Sequence, residues 1–406
     1  MDRSLEEINQ KIRDGIFRTK EQESPENIMK KKNNKIQAFI SNSEFSIFAV
    51  GKASILMVRG LEQETVKKAN LKICLAPNPE TIDGFTVFKG NHPFPGDDTF
   101  NSSEQIFNMI REDRSEKLLF LLSGGSSSLF EKIAPGISRE RYEEIMHKLV
   151  SGGYPIDQIN SVRCMLSNVK CGKMLNHSNY SSVLILAISD VPGDDISVIG
   201  SNPFFPKKKI KLDSRFLETF GVEGQKLEYR QCGVDSEIIL AGENYSRALL
   251  ENLDLPFEKI SLGNILKEDV NVCSEKIISM LREKYGLKKQ PFLFSAYGET
   301  TSKVIGNGKG GRNCYLSALI LEKADESEEF SFISFATDGQ DGNSGLAGFL
   351  VDTTLKNSIS RDELEKYIIN SDTGTLAEKT QRNIFTGPTG NNVSDVVIGY
   401  YGGTVK

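Results

Sequence analysis

The stretch Gly306-Asn307-Gly308-Lys309-Gly310-Gly311-Arg312-Asn313 is the most informative part of this chain. Four glycines in six positions leave the backbone free to adopt positive φ angles and to approach a ligand closely. Apolar residues over 292–294 predict a strand before this loop, and apolar residues at core spacing over 315–320 predict a helix after it. A glycine-rich loop at a helix N-terminus presents backbone N–H groups to an anion. Because Lys309 and Arg312 add positive charge, the stretch predicts an anion site rather than a plain surface turn.

The composition is that of an ordinary soluble protein. The 406 residues are 38 % apolar and 26 % charged, and this length favours two or three domains. A formal net charge of −5 without a basic face argues against a nucleic-acid partner. No apolar run approaches the roughly 20 residues of a membrane span, and the N-terminus reads as an amphipathic helix rather than a signal peptide. We therefore expect a cytoplasmic protein with no membrane partner.

The cysteines and histidines argue against a zinc site and against a His-ligated metal centre. Six cysteines are dispersed along the chain without a CxxC pair, so we expect reduced thiols rather than disulfides or a zinc site. The three histidines are dispersed as well, which disfavours both a His-ligated metal and a Ser-His-Asp triad.

Two further loops are predicted to connect a strand to a helix. Gly51-Lys52-Ala53 follows a strand expected over Ser46–Val50, and a lysine at that position is suited to a phosphate or carboxylate. The alternative for a lone lysine is simple solvation. Ser123–Ser128 follows a strand expected over Lys117–Leu122, and its hydroxyl groups supplement the backbone donors. The alternative for this loop is a flexible linker.

Acidic residues follow two other apolar strands. The strand expected over Ser182–Ile188 is followed by Asp190, and the strand expected over Phe330–Ala336 is followed by Asp338. The same loops hold further carboxylates: Asp194, Asp195 and Asp341. Carboxylates in this position suit Mg²⁺, which is bound by one or two carboxylates while it keeps several waters. Asp-Gly is also a common turn dipeptide, so turn chemistry is the alternative for the second loop.

Polar residues recur on a helix expected from about Asp157. Asn160, Arg163, Ser167 and Lys170 follow one another at intervals of three and four residues. This spacing places them on one helical face. The face is either a solvated stripe or part of a binding site, and the spacing does not distinguish the two.

The alternation of strands and helices predicts an α/β architecture with mostly parallel sheets. In such folds the loops that follow the strands gather at the carboxyl edge of a sheet, where ligands bind. The pattern loosens around residues 201–240, which indicates a domain boundary. We place the two domains at residues 1–235 and 236–406.

Taken together, eight loops in this order resemble those of the MOFRL-type, or class II, glycerate kinase family, and the resemblance runs nearly end to end. The loops are Gly51-Lys52-Ala53, Ser123–Ser128, Asn160-Ser161-Val162-Arg163, Ser189–Asp195, Gly298-Glu299-Thr300-Thr301, Gly310-Gly311-Arg312-Asn313, Thr337-Asp338-Gly339 and Gly387-Pro388-Thr389-Gly390. The resemblance implies a Rossmann-like α/β/α N-terminal domain, a smaller C-terminal α/β domain and an active site in the cleft between them. The chain departs from the family pattern at Cys164-Met165, where Lys-His is usual, and at Cys171, where glycine is usual.

The same resemblance implies ATP-dependent phosphorylation of D-glycerate, with ATP and Mg²⁺ as cofactors and small molecules as the partners. It favours the 2-hydroxyl and so 2-phosphoglycerate, whereas the residues themselves leave the 2- and 3-hydroxyl open. A homodimer is compatible with the sequence.

The site residues that the resemblance implies fall into four groups. The catalytic residues are Lys52, Arg312 and Asp190. The substrate- or phosphate-binding residues are Ser123, Gly124, Gly125, Ser126, Ser127 and Arg163. The nucleotide-binding residues are Glu299, Lys309, Gly310, Gly311, Asn313, Asp338, Thr389 and Asn391. The metal-binding candidates are Asp190, Asp195 and Asp338.

Two alternatives belong to other classes. A hydroxypyruvate reductase requires a dinucleotide fingerprint of the GxGxxG type with an acid about 20 residues further on, and no stretch supplies both. A regulator that binds a sugar acid without turnover would use the Ser/Gly loop but would leave the carboxylates unexplained.

Overall fold

A computed structural model describes residues 4–207, 214–222 and 227–404. It divides into two compact units, Pro25–Ile239 and Met1–Ser24 together with Leu240–Lys406. We call these the N-terminal unit and the C-terminal unit. The first helix therefore belongs with the C-terminal unit. A single boundary at residues 235/236, as expected from the sequence, assigns that helix to the other domain.

The elements are numbered along the chain. The helices are α1 (Leu5–Gln22), α2 (Pro25–Lys31), α3 (Asn33–Ile40), α4 (Ser54–Arg59), α5 (Gln63–Lys68), α6 (Asp97–Glu112), α7 (Ser126–Leu129), α8 (Arg139–Ser151), α9 (Ile156–Leu166), α10 (Met174–His177), α11 (Ser214–Thr219), α12 (Gly242–Glu251), α13 (Val270–Lys288), α14 (Arg312–Lys323), α15 (Thr353–Ser358), α16 (Arg361–Ile369) and α17 (Thr373–Lys379). The strands are β1 (Phe45–Val50), β2 (Lys72–Ala76), β3 (Thr86–Lys89), β4 (Lys117–Leu122), β5 (Ser182–Ile188), β6 (Gly233–Leu240), β7 (Glu258–Leu266), β8 (Phe292–Gly298), β9 (Glu328–Ala336), β10 (Gly348–Asp352), β11 (Asn383–Ile384) and β12 (Asp395–Thr404). Among the described residues, no helix is long and apolar enough to cross a bilayer.

The N-terminal unit contains a six-stranded sheet of order β3-β2-β1-β4-β5-β6. β1 pairs in parallel with both β2 and β4, and β5 pairs in parallel with β4. β1 is buried along its whole length and β4 and β5 from their second residue, as expected of parallel strands covered on both faces. The strand order changes direction between β1 and β4. Their carboxyl ends therefore border the crevice where doubly wound folds bind ligands.

The C-terminal unit contains a second six-stranded sheet, of order β11-β10-β9-β12-β8-β7. Only the β7–β8 pair is parallel among the pairs of this sheet in the described chain, so the expectation of mostly parallel sheets is wrong for this unit. β12 lies between β8 and β9 and runs antiparallel to both. Its first residue, Asp395, is therefore level with the last residues of its neighbours, Gly298 and Ala336.

The helix that carries Arg163 is shorter than the sequence predicts. α9 ends at Leu166, so Ser167 and Lys170 follow the helix instead of continuing its polar face. The side chain of Lys170 is fully buried against Glu131, and its ammonium group donates to Glu131 Oε2 at 2.5 Å. Burial lowers the pKa of Lys170 to about 8, against the raising effect of Glu131. Of the four residues expected on one polar face, only Asn160 and Arg163 lie on the helix, and Lys170 has a structural role in a buried ion pair.

The cysteines also differ from expectation. Cys164 at the end of α9 forms a disulfide with Cys171, whereas Cys74, Cys232, Cys273 and Cys314 are free thiols. The expectation of six reduced cysteines is wrong for this pair. Cys164 lies in the last turn of α9, and Cys171 follows seven positions later, after the helix has ended at Leu166. The spacing alone does not predict that the two thiols meet.

Candidate active site

In the N-terminal unit, Lys52 follows β1 on a turn that is fastened to the loop after β4. The Lys52 amide donates to the Gly124 carbonyl at 2.9 Å, and the Ala53 amide donates to Ser123 Oγ at 3.1 Å. Gly51 has a φ of +128°, and a side chain there would overlap Ser123. These contacts hold Lys52 beside the Ser/Gly loop. Ser123 itself is buried and acts as a structural acceptor.

Three candidate site side chains lie close to the two glycines of that loop. A Cβ at Gly124 would overlap the Asp190 carboxylate, so Asp190 lies directly against the Gly124 backbone. Gly125 is left-handed, with a φ of +81°, and a Cβ there would lie 3.0 Å from His92 Cδ2 and 3.1 Å from Lys52 Cγ. Glycine is therefore required at both positions, because neighbouring side chains lie too close for a Cβ. The absence of side chains here allows a cation, an imidazole and a carboxylate to lie together around the loop.

His92 is a residue that the sequence analysis did not select. Partial desolvation lowers the pKa of His92, and the positive charge of Lys52 lowers it further. The imidazole is consequently neutral at physiological pH and retains one acceptor nitrogen. The signal available in the sequence was the rigid His92-Pro93 turn, which by itself suggests only a structural role.

Arg163 reaches the same loop from α9. Its Nη1 donates to Ser127 Oγ at 3.0 Å and to Asn160 Oδ1 at 3.1 Å. Ser127 Oγ also lies 3.4 Å from Ser201 Oγ. The Ser126 hydroxyl is buried and has no hydrogen-bond partner in the part of the chain that the structure describes. Arg163 therefore lies against the Ser/Gly loop, as the sequence analysis expects.

In the C-terminal unit, Arg312 is held between two carboxylates at the edge of the sheet. Its Nε donates to Asp395 Oδ2 at 2.5 Å, and its Nη2 donates to Asp395 Oδ1 at 3.2 Å and to Glu299 Oε1 at 2.6 Å. The Asp395 side chain is only 3 % exposed, whereas that of Glu299 is 41 % exposed. Burial raises the pKa of Asp395 to about 7, and Arg312 offsets part of that rise.

Three backbone donors of the glycine-rich loop are bonded within the protein. The Gly308 amide donates to the Asn370 carbonyl, the Lys309 amide to Asp372 Oδ1 and the Gly310 amide to Asn343 Oδ1. These three groups are therefore not available to a ligand.

The N-terminus of α14 is likewise capped from within the protein. Asp341 is buried, and its carboxylate accepts the amides of Asn313 at 2.9 Å and Cys314 at 2.8 Å. Burial raises the pKa of Asp341, and these two amides offset part of the rise. Within the described residues, the amides of Gly311 and Arg312 have no hydrogen-bond partner. The backbone donors left for an anion at this helix are those two.

A cavity of about 580 Å³ lies in front of these amides. Among its lining residues are Glu299, Lys303, Gly311, Arg312, Tyr315 and Asp338. Lys303 brings a cation that the sequence analysis did not select, although its place five residues after β8 could have suggested it. Lys309 does not line this cavity, and its ammonium group pairs with Glu378 at 2.6 Å.

The remaining predicted nucleotide residues have internal partners. Asn313 is buried and donates to Asp341. Thr389 donates its hydroxyl to the Thr337 carbonyl at 2.7 Å, and Asn391 is buried with its amide near the Glu23 carbonyl. These three residues support the edge of the sheet and do not line the cavity.

The predicted metal-binding residues Asp338 and Asp195 lie in different surroundings. Asp338 lines the cavity, and its Oδ1 accepts the Gln340 amide. Asp195 is exposed, and its Oδ1 accepts the Ser197 amide. Over the described residues, no group of three or more His, Cys, Asp or Glu side chains is arranged to hold a metal. Mg²⁺ needs only one or two protein carboxylates, so Asp338 in the C-terminal unit and Asp190 in the N-terminal unit are each, separately, a candidate ligand.

With this geometry established, the chain can be compared with known proteins. A model of a domain of unknown function (DUF4147) matches residues 8–228, and the model of the MOFRL family matches residues 292–395. A protein of Picrophilus torridus named glycerate 2-kinase is 30 % identical over 98 % of both chains. The chain belongs to the class II, MOFRL-type, glycerate kinase family.

Two comparisons with Thermotoga maritima proteins agree. A D-glycerate 2-kinase of that organism is 30 % identical over 87 % of this chain and 89 % of its own length. The crystal structure of a Thermotoga maritima glycerate kinase superposes with a TM-score of 0.87 and 26 % identity, covering 98 % of this chain and all of that one. The predicted family and its two α/β folds are therefore confirmed.

Proposed function

We propose that this protein is a glycerate 2-kinase that transfers the γ-phosphoryl group of ATP to the 2-hydroxyl of D-glycerate. The observation that carries the proposal is the cavity of the C-terminal unit, where Arg312 and two unpartnered amides meet the carboxylates of Glu299 and Asp338. Cations and amides suit polyphosphate oxygens, and nearby acids suit the metal ion that accompanies them. Membership of the glycerate kinase family supports the same reaction.

Phosphoryl transfer depends on positioning and charge neutralisation more than on covalent chemistry. In this proposal the phosphates of ATP contact the Arg312 guanidinium and the amides of Gly311 and Arg312, and Lys303 supplies a further cation at the rim. Asp338 is the residue that we propose to hold Mg²⁺, because it lines the cavity and, within the described residues, its carboxylate accepts a single hydrogen bond, from the Gln340 amide. When bound, the ion would neutralise phosphate charge.

The N-terminal unit supplies the groups that glycerate requires. Lys52 and Arg163 provide positive charge for its carboxylate, and arginine can bind a carboxylate with two parallel hydrogen bonds. Asp190 accepts the proton of the attacking hydroxyl group. The glycerate oxygen forms a bond to the γ-phosphorus as the bond to the β–γ bridging oxygen breaks, which yields ADP and phosphoglycerate. We favour the 2-hydroxyl because relatives at 30 % identity are named glycerate 2-kinases.

A ³¹P NMR time course with D-glycerate, ATP and Mg²⁺ tests this proposal. We expect a new phosphomonoester resonance that matches authentic 2-phosphoglycerate. A match to 3-phosphoglycerate would support a kinase with the other regiochemistry. Unchanged ATP together with NADH oxidation on hydroxypyruvate would overturn the proposal in favour of a reductase. Glycerate binding by calorimetry without turnover would favour a binding protein.

Two lysine variants locate the nucleotide more finely. Lys303→Ala should raise the KM for ATP about tenfold, because it removes a cation from the cavity wall. Lys309→Ala is the matched control, since Lys309 pairs with Glu378 outside the cavity lining and should leave the KM for ATP within twofold. A larger rise in the KM for ATP in Lys309→Ala than in Lys303→Ala would instead assign the phosphate contact to Lys309, as the sequence pattern suggests.

A further inference from the structure

Asp395 occupies an unusual position for a buried acid. It is the first residue of β12, and its backbone lies level with Gly298 at the end of β8 and Ala336 at the end of β9. Strands on both sides therefore fix its backbone, while its carboxylate points to the edge that carries Glu299 and Arg312. A carboxylate held this firmly has little freedom to follow a moving partner.

The hydrogen bonds of Arg312 divide its guanidinium into two parts. Nε and Nη2 are occupied by Asp395 in a two-bond fork, and Nη2 also donates to Glu299. Nη1 has no hydrogen-bond partner within the described residues. The fork with Asp395 sets the plane of the guanidinium, because two parallel bonds define an orientation that a single ion pair does not. Arg312 consequently keeps one amino group for a ligand in the cavity.

We propose that Asp395 is a positioning residue that orients Arg312 toward the transferred phosphoryl group. Glu299 does not serve this purpose, because its side chain is 41 % exposed and contributes a single bond. Asp395 touches neither ATP nor glycerate in this scheme and acts only through Arg312. The inference rests on the proposed kinase reaction, but the effect of Asp395 on nucleotide binding can also be measured without turnover.

The pH dependence gives the inference a distinctive signature. The charged and titratable groups that face Asp395 are Arg312 and Glu299, and the side-chain amide of Asn313 also hydrogen-bonds to its carboxylate. Protonation of Asp395 removes the charge that holds the fork, so kcat/KM should fall as the pH falls through about 7, the region to which burial raises the pKa of Asp395. Asp395→Asn should lose this acid limb and be uniformly slow.

The variant needs a control that separates positioning from stability. Asp352 provides it, because its side chain is 2 % exposed, it pairs with Arg382 at 2.7 Å in the same unit, and it does not line the cavity. Asp395→Asn should lower kcat about 10–100-fold, the range expected when a catalytic group is misplaced by about 1 Å. Asp352→Asn should lower the thermal midpoint about as much as Asp395→Asn does. Its kcat and KM should nevertheless stay within twofold of wild type.

A double-mutant cycle shows whether Asp395 acts through Arg312. In an Arg312→Lys background the fork is already lost, so adding Asp395→Asn should cost less than threefold further. Full additivity of the two effects would overturn the inference, as would wild-type kcat and an unchanged acid limb in Asp395→Asn.

Calorimetry with ATP keeps this test separate from the identity of the acceptor. If the wild-type protein phosphorylates no glycerate, the proposed function fails while the positioning role is still measured. Asp395→Asn should then weaken ATP binding at least tenfold and Asp352→Asn should not. Equal ATP affinity in wild type and Asp395→Asn would refute the positioning role.

Discussion

Gly124→Ala tests whether the reaction depends on where the Asp190 carboxylate lies. A Cβ at this position would overlap Asp190 Oδ2 and lie 2.5 Å from Asp190 Cγ. Non-bonded carbon atoms separate to about 3.5–4 Å, so the side chain of Asp190 must retreat by about 1 Å. The three atoms nearest to the added carbon all belong to Asp190, and the backbone of Gly124 is not left-handed. The substitution therefore acts on one side chain.

The magnitude follows from this displacement. A misplacement of about 1 Å at a reacting group costs about a hundredfold in rate, or about 3 kcal/mol of transition-state stabilisation. We expect kcat/KM to fall by that factor in a coupled assay of ADP release. The free energy of unfolding should change by less than about 1 kcal/mol, because the group that moves is the end of a half-buried side chain.

Gly233→Ala is the matched control in the same unit. Gly233 is exposed, and a Cβ there would meet Ser182 Oγ at an ordinary 3.5 Å. It should therefore leave both activity and stability at wild-type values. If Gly124→Ala retains wild-type kcat/KM with an unchanged unfolding curve, the reasoning that places the Asp190 carboxylate in the reaction is refuted.

Two further predictions concern stability and redox state. Lys170→Met should lower the free energy of unfolding in urea by about 3–5 kcal/mol, because it leaves the buried Glu131 carboxylate without its cation. Adding Glu131→Gln should recover part of that loss, and no recovery would contradict the pairing. For the disulfide, alkylation of the unfolded protein without reductant should modify the four free cysteines and spare Cys164 and Cys171. Six alkylated thiols by mass spectrometry would show that the bond is absent.

The strands of the N-terminal unit are the part of the fold that the sequence predicts best. The bounds of β4 and β5 are those expected, Lys117–Leu122 and Ser182–Ile188, since both are short, nearly uninterrupted apolar runs that only a sheet covered on both faces can bury. The loops after these strands and after β1 then meet by topology alone. For this reason Lys52, Asp190 and the Ser/Gly loop come together as predicted from sequence order.

The C-terminal unit shows what sequence patterns leave out. The sequence analysis expects mostly parallel sheets, and this expectation directs attention to residues that follow strand ends. Because β12 runs antiparallel between β8 and β9, the residue at the shared edge is instead the first of its strand, Asp395. No local pattern marks that residue as a partner of Arg312, since the two are 83 positions apart. The pairing depends on sheet order, which hydrophobic periodicity does not contain.

The glycine-rich loop was recognised for a reason that is only partly correct. A Cβ at Gly308 would lie 2.6 Å from the Asn370 carbonyl oxygen, and a Cβ at Gly311 would overlap the Asp341 carboxylate. The glycines are thus needed for the loop to pack against the rest of the unit, and the amides of Gly308, Lys309, Gly310 and Asn313 are bonded there. Because the Asp341 carboxylate already accepts two amides at the positive end of α14, the groups that we propose for anion binding are the Arg312 side chain and the amides of Gly311 and Arg312. The glycine-rich pattern thus marks where the loop packs closely, and the candidate for binding chemistry is the cation at its end, Arg312.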